Sequence, residues 1–88
     1  AKENVSEYYI RLNVKDQPGI LGEIAAVLGR HDVSIVSVTQ DIKDEKNVSI
    51  VFITHEALEG NVTESIKEIR MLDRVNNLEN LIRIENFN

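Results

Sequence analysis

The four residues Asp16-Gln17-Pro18-Gly19 stand between two different hydrophobic periods and carry the chain's clearest chemical pattern. A helix beginning there has backbone N–H groups without intrahelical partners, and together with the helix dipole they favour an anion. Gly19 has no Cβ, so a ligand can approach that backbone closely. Asp16, beside it, can hold an ammonium group. Donors for a carboxylate next to an acceptor for an ammonium are the complement of a free amino acid's zwitterion. The same four residues also suit an ordinary capped turn, and residue types alone leave both readings standing.

Other chemistry is sparse. His31 and His55 are the only histidines and fall at the ends of different elements. No His-x-x-x-His pair, paired-carboxylate pocket or nucleophile elbow is present, so two surface histidines account for them. Gly19-Ile20-Leu21-Gly22 satisfies a GxxG pattern, but two apolar residues followed by Glu23 are wrong for clamping a phosphate backbone. Neither a Walker A motif nor a dinucleotide fingerprint occurs. Without cysteine there are no disulfides, thiol nucleophiles, iron–sulfur clusters or Cys-type zinc sites. No cofactor is implied for this chain.

The elements that must position the loop can be read from periodicity. Tyr8, Ile10, Leu12 and Val14 alternate with Tyr9, Arg11, Asn13 and Lys15, which predicts a half-buried strand. Ile20, Leu21, Ile24, Ala25 and Leu28 then follow a helical spacing, which predicts a helix over 18–30 with Pro18 in its first turn and Gly29, Arg30 and His31 at its end. Residues 33–42 read as a strand with a bulge, and 43–47 as a polar turn. Residues 48–55 read as a central strand, with Val48, Ile50 and Phe52 toward the helices and Val51 and Ile53 on the other face. Asn61-Val62-Thr63-Glu64 resembles a capping box opening a second helix, whose apolar stripe is Val62, Ile66, Ile69 and Leu72. After a polar loop over 76–80, residues 81–85 close the chain as a short strand with Ile82 and Ile84 inward. The order β-α-β-β-α-β predicts an α+β, ferredoxin-like fold: a four-stranded antiparallel sheet with two helices on one face. Residues 1–7 read as a linker, 8–86 as the domain and 87–88 as a tail.

Composition agrees with one small domain. Val plus Ile number 21 against 7 Leu in 88 residues, an excess that favours a sheet-rich fold. The net charge of −5 makes the chain a poor non-specific ligand for nucleic acid or anionic membranes. No segment reaches the length of a membrane span. The open sheet face would carry Tyr9, Arg11, Lys15 and Arg83, a weak case for RNA because Phe52 is expected on the other face. The first residue is Ala rather than Met, which suggests a piece of a longer chain.

With Asp16-x-Pro18-Gly19-Ile20-Leu21 set in this frame, the chain resembles an ACT domain over about residues 8–85. YYIRLNVKDQPGIL, the strand ending VSVTQ, and VFITHEALEGNVTESIKEI are similar to the C-terminal regulatory domains of bacterial homoserine dehydrogenases. The resemblance implies a non-catalytic regulatory domain, cytoplasmic, attached to an upstream catalytic domain of an NAD(P)-dependent oxidoreductase. It implies a homodimer that binds a free amino acid, threonine first, without nucleic acid or membrane partners. Carried onto this chain, Asp16 and Gln17 supply polar loop contacts, and the amides of Gly19, Ile20 and Leu21 meet the ligand's carboxylate. Ser34, Ile35 and Val36 face the ligand from the partner domain, with Ser34 standing where many ACT domains have asparagine. An ACT domain that only holds subunits together is the alternative. Strand 33–42, rich in Val and Ile, offers an edge for side-by-side pairing, while Val51 and Ile53 leave pairing through sheet faces open.

Overall fold

The structure is a computed structural model and describes residues 4–85, so the expected tail at 87–88 lies outside the described residues. The elements run β1 (Val5–Val14), α1 (Ile20–Arg30), β2 (Ile35–Asp44), β3 (Asn47–Thr54), β4 (Ala57–Leu58), α2 (Glu59–Ile69) and β5 (Val75–Ile84). This is the expected ferredoxin-like βαββαβ arrangement with five antiparallel strands instead of four. The extra strand, β4, has two residues, which pair with Val5 and Ser6 of β1. Only His55 and Glu56 separate β3 from β4, so β4 continues β3's line along β1.

Strand β1 is central. One flank pairs with β3, from Tyr9↔Ile53 to Val14↔Val48. The other pairs with β5, from Glu7↔Ile84 to Val14↔Val75. Strand β2 lies outside β3 and forms an edge, with register shifts at each end where a bulge was expected. The alternation of β1 and β3 fixes the layers: Tyr8, Ile10, Leu12 and Val14, with Val48, Ile50 and Phe52, are buried beneath the helices. The helices add Ile20, Ile24, Val27 and Leu28 from α1 and Val62, Ile66 and Ile69 from α2. Leu72 packs against this core from just beyond α2.

Several expected boundaries move, each for a physical reason. Strand β1 begins at Val5, not Tyr8, because β4 gives its first residues a pairing partner. Helix α1 begins at Ile20, not Pro18, since Gly19 caps it in the left-handed region at φ 87°. Strand β2 runs over Ile35–Asp44, leaving a tight turn at Glu45 and Lys46. The capping box expected at Asn61 does not form. Helix α2 already begins at Glu59, whose N–H donates to the Asn4 carbonyl while Asn4 Nδ2 donates to the Glu59 carboxylate at 3.0 Å.

The expected loop at 76–80 is strand: β5 starts at Val75 and pairs with β1 across two register shifts. That register overturns three facings. Ile82 lies opposite Tyr9 and Ile84 opposite Glu7, both on the open face, and Ile82 is 51% exposed. Arg83 lies opposite Tyr8 on the helix side, 3.8 Å from the carboxylate of Glu59. Because Leu81, Ile82 and Ile84 place apolar residues in both registers, alternation alone could not select the inward set.

Helix α1 stops through its backbone. Asp32 N–H donates to the Gly29 carbonyl and Val33 N–H to the Leu28 carbonyl, with Asp32 left-handed at φ 60°. That pattern normally places glycine where Asp32 stands. A carboxylate there also opposes the helix dipole. Asp32→Gly is therefore expected to stabilise the chain by about 0.5–1 kcal/mol, measured by urea unfolding; an unchanged or lower midpoint would contradict this account of the helix end.

Candidate functional site

The loop between β1 and α1 leaves the central strand at Val14 and turns at Gly19. Glu23 N–H donates to the Gly19 carbonyl at 2.9 Å, and Ile20 N–H reaches the Gln17 carbonyl at 3.3 Å. The positive φ, rather than space, demands glycine here: an added Cβ would lie 3.9 Å from Arg74 Nη2, an ordinary contact. The Ile20 side chain is buried and its N–H is engaged by Gln17, and Leu21 packs against the core. Helix geometry leaves the N–H groups of Leu21 and Gly22 without intrahelical acceptors. Asp16, Gln17, Pro18 and Gly19 are all exposed.

Two corners fix this loop from outside, and Asn76 braces the strand end and turn beside it. Asp16 N–H donates to the Glu45 carbonyl in the β2–β3 turn at 3.0 Å, and Lys15 N–H to the Arg74 carbonyl before β5 at 2.9 Å. Asn76 Nδ2 donates to Asn13 Oδ1 at 2.7 Å and to the Lys46 carbonyl at 2.8 Å. An open cleft of about 770 Å³ results, lined by Lys15, Asp16, Gln17, Glu45, Lys46, Asn47 and Asn76. The β2–β3 turn is in turn held by Asp44, whose Oδ1 accepts from Lys46 N–H at 2.8 Å and from Asn47 Nδ2 at 3.2 Å. The Lys46 backbone bond first, then Asn47, holds the Asp44 carboxyl below its ordinary value of 3.8.

Ser34, Ile35 and Val36 are elsewhere. Ile35 pairs with Thr54, whose hydroxyl accepts from Tyr8 N–H, whereas the loop lies beyond Val14, Val48 and Ile42. Seven strand residues separate the two places, about 20 Å. Within one chain, then, the structure brings Asp16, Gln17, Gly19, Ile20 and Leu21 together and sets Ser34, Ile35 and Val36 at the opposite end of the sheet. The residues that hold the loop (Glu23, Glu45 and Arg74) carry no spacing signal, because each acts through tertiary pairing.

Several other polar groups are engaged elsewhere. His31 Nε2 lies 2.9 Å from Glu68 Oε1, and Arg30 pairs with the same carboxylate, tying α1 to α2. On the open face Arg11 Nε donates to Ser49 Oγ at 2.9 Å, with Glu79 at 3.7 Å. Phe52 is fully buried and Tyr9 is the one unburied aromatic among the described residues, so paired base stacking on that face has no platform. Among the described residues, no group of three or more His, Asp or Glu is placed to hold a metal, and no helix is long and apolar enough to cross a membrane.

The family model for the ACT domain matches residues 8–73. A homoserine dehydrogenase of Neisseria gonorrhoeae is 38% identical over 86 residues, which is 97% of this chain and 20% of that protein. The crystal structure of a homoserine dehydrogenase from Thiobacillus denitrificans superposes with a TM-score of 0.85 at 33% identity, over 96% of this chain and 18% of that one. The ACT domain from GTP pyrophosphokinase of Chlorobium tepidum shares the fold, with a TM-score of 0.67 at 17% identity over 92% of this chain and all of that one. The chain thus spans about a fifth of the length of the curated relatives it matches.

A pH test follows from Asp44. Its folded-state pKa is lowered, so its contribution is complete above the unfolded value and is lost as pH falls through the folded one. The stability gap between the wild-type chain and Asp44→Ala should be full at neutral pH and narrow as pH falls below about 4, the ordinary range of an aspartate carboxyl. A gap independent of pH would contradict the role given to this carboxylate.

Proposed function

Because this chain belongs to the ACT-domain family, we propose that it is a regulatory module that binds a free amino acid, threonine or a close relative, at a site completed by a second copy. Its setting would be a cytoplasmic biosynthetic enzyme of the homoserine dehydrogenase type, with the catalytic region outside this segment. Helix α1's free N–H groups would take the ligand's carboxylate, and the exposed Asp16 carboxylate its ammonium group.

One observation carries this reading: the loop is bonded to the far end of β2 through Asp16 N–H and the Glu45 carbonyl. If two copies pair antiparallel along β2, the start of one β2 meets the end of the other. Ser34, Ile35 and Val36 of one copy then come beside the loop of its partner, and the 20 Å separation within one chain is closed. The β2 edge suits such pairing. Val38 and Ile42, in register with Phe52 and Val48, face the helix side yet are 38% and 62% exposed, and Val36 is 51% exposed. An edge strand with unpaired backbone groups and uncovered apolar side chains favours a partner strand. A ligand held only by the paired form stabilises that form, and so biases whatever equilibrium an attached enzyme couples to it.

Two measurements test this. In calorimetric titration against a panel of amino acids, threonine or a neighbour in structure should give saturable heat. Asp16→Ala should weaken it by at least about tenfold, as for a lost hydrogen bond to a charged group. Heat from none of them, with a dimer still present, would leave the assembly-only reading in its place. In sedimentation velocity the wild-type chain should be dimeric, and Ile42→Lys should raise the dimer's dissociation constant about tenfold or more. A monomeric wild-type chain would refute the shared site.

A further inference from the structure

Arg74 lies in the corner between α2 and β5, far in sequence from the effector loop, yet it provides most of what holds that loop in place. Its Nη1 donates to the Pro18 carbonyl at 2.6 Å and its Nη2 to Glu23 Oε1 at 3.1 Å. Its own carbonyl accepts from Lys15 N–H at 2.9 Å. One residue thereby ties the chain where it leaves β1, inside the turn, and in the first turn of α1. Among the described residues, the other tie reaching this segment is the bond between Asp16 and Glu45.

The placement is electrostatically unusual. A cation beside a helix N-terminus is opposed by the helix dipole. Here the side chain is partly buried, at 27% exposure, and the guanidinium fork is divided between a carbonyl and a carboxylate. The two terminal nitrogens lie 3.9 and 4.0 Å from the point where a Cβ on Gly19 would stand, so the guanidinium lines one flank of the left-handed turn. Lysine, with a single ammonium, cannot reproduce a planar fork that meets two acceptors in different directions.

We propose that Arg74 is the positioning residue of the effector loop: by bridging Pro18 and Glu23 it holds the Gly19 turn in the conformation that presents the first N–H groups of α1 to a ligand's carboxylate. The proposal rests on the regulatory reading above. Its energetic basis is preorganisation, since a loop already held in the bound shape loses less freedom on binding. It also makes the α2–β5 corner part of the effector site's support, so that disturbance at either is felt at the other.

The test uses this 88-residue chain with threonine as the probe, and reads calorimetric affinity together with amide hydrogen exchange. Arg74→Gln should weaken threonine binding about tenfold. It should speed exchange at the Ile20 and Glu23 amides about tenfold through local opening, while the β1 and β3 amides stay protected. Arg74→Lys keeps the charge and should still show both effects, which separates fork geometry from charge. If Arg74→Gln fails to fold, Glu23→Ala removes one of the two side-chain ties, acceptor included, and should show the same local changes at about threefold. Wild-type affinity in Arg74→Gln, or unchanged exchange in the loop, would overturn the proposal. If the wild-type chain binds no amino acid, the regulatory reading fails separately, and unchanged loop exchange in Arg74→Gln still overturns the clamp.

Discussion

Strand β1 is hydrogen-bonded along both flanks, and the rest of the molecule is arranged around that fact. Its inward residues, Tyr8 to Val14 in steps of two, seat both helices, while its partners β3 and β5 bring two distant corners to its C-terminal end. Those corners are the β2–β3 turn and the approach to β5, and both bond the loop that follows Val14. A loop between a strand and a helix would ordinarily be among the more mobile parts of a small domain. Here it is held at Lys15, Asp16, Pro18 and Glu23, and the polar groups of the candidate site inherit that order.

The same topology leaves an imbalance. Two helices cover the middle strands but do not extend over β2, whose helix-side residues Val38 and Ile42 remain open to solvent. An 88-residue chain has little buried surface to spare, and an uncovered edge of this kind is a liability when alone. Pairing along β2 would remove the liability and bring the two halves of the proposed site together in one step. Binding and assembly are then linked by geometry, because the ligand contacts would come from both copies.

How much of this could be read from residues alone varied with the kind of signal. Strict alternation placed β1, an apolar run on both faces marked β3 as a central strand with Phe52 toward the core, and the helical stripe of α1 located the loop and Gly19. Signals failed where tertiary pairing replaced local chemistry. The asparagines at 76, 77 and 80 look like a loop, yet β1 supplies a partner for each stretch of backbone around them. Asn61 looks like a helix cap, yet Asn4 caps from the other side of the sequence. Arg74 has no motif at all, because its meaning lies in three bonds to residues more than fifty positions away. Asp32, which ends α1 in a conformation usually left to glycine, was equally invisible to spacing.

In the proposed arrangement, the loop of one copy and the start of β2 of another would form one amino-acid site. Amide chemical shifts of the isotopically labelled chain, followed through a threonine titration, test it most directly. With a shared site, the amides of Gly19 to Gly22 and those of Ser34 to Val36 should move together along one saturation curve, although they lie at opposite ends of the sheet in each chain. Movement confined to one of the two groups, or separate curves for each, would contradict it.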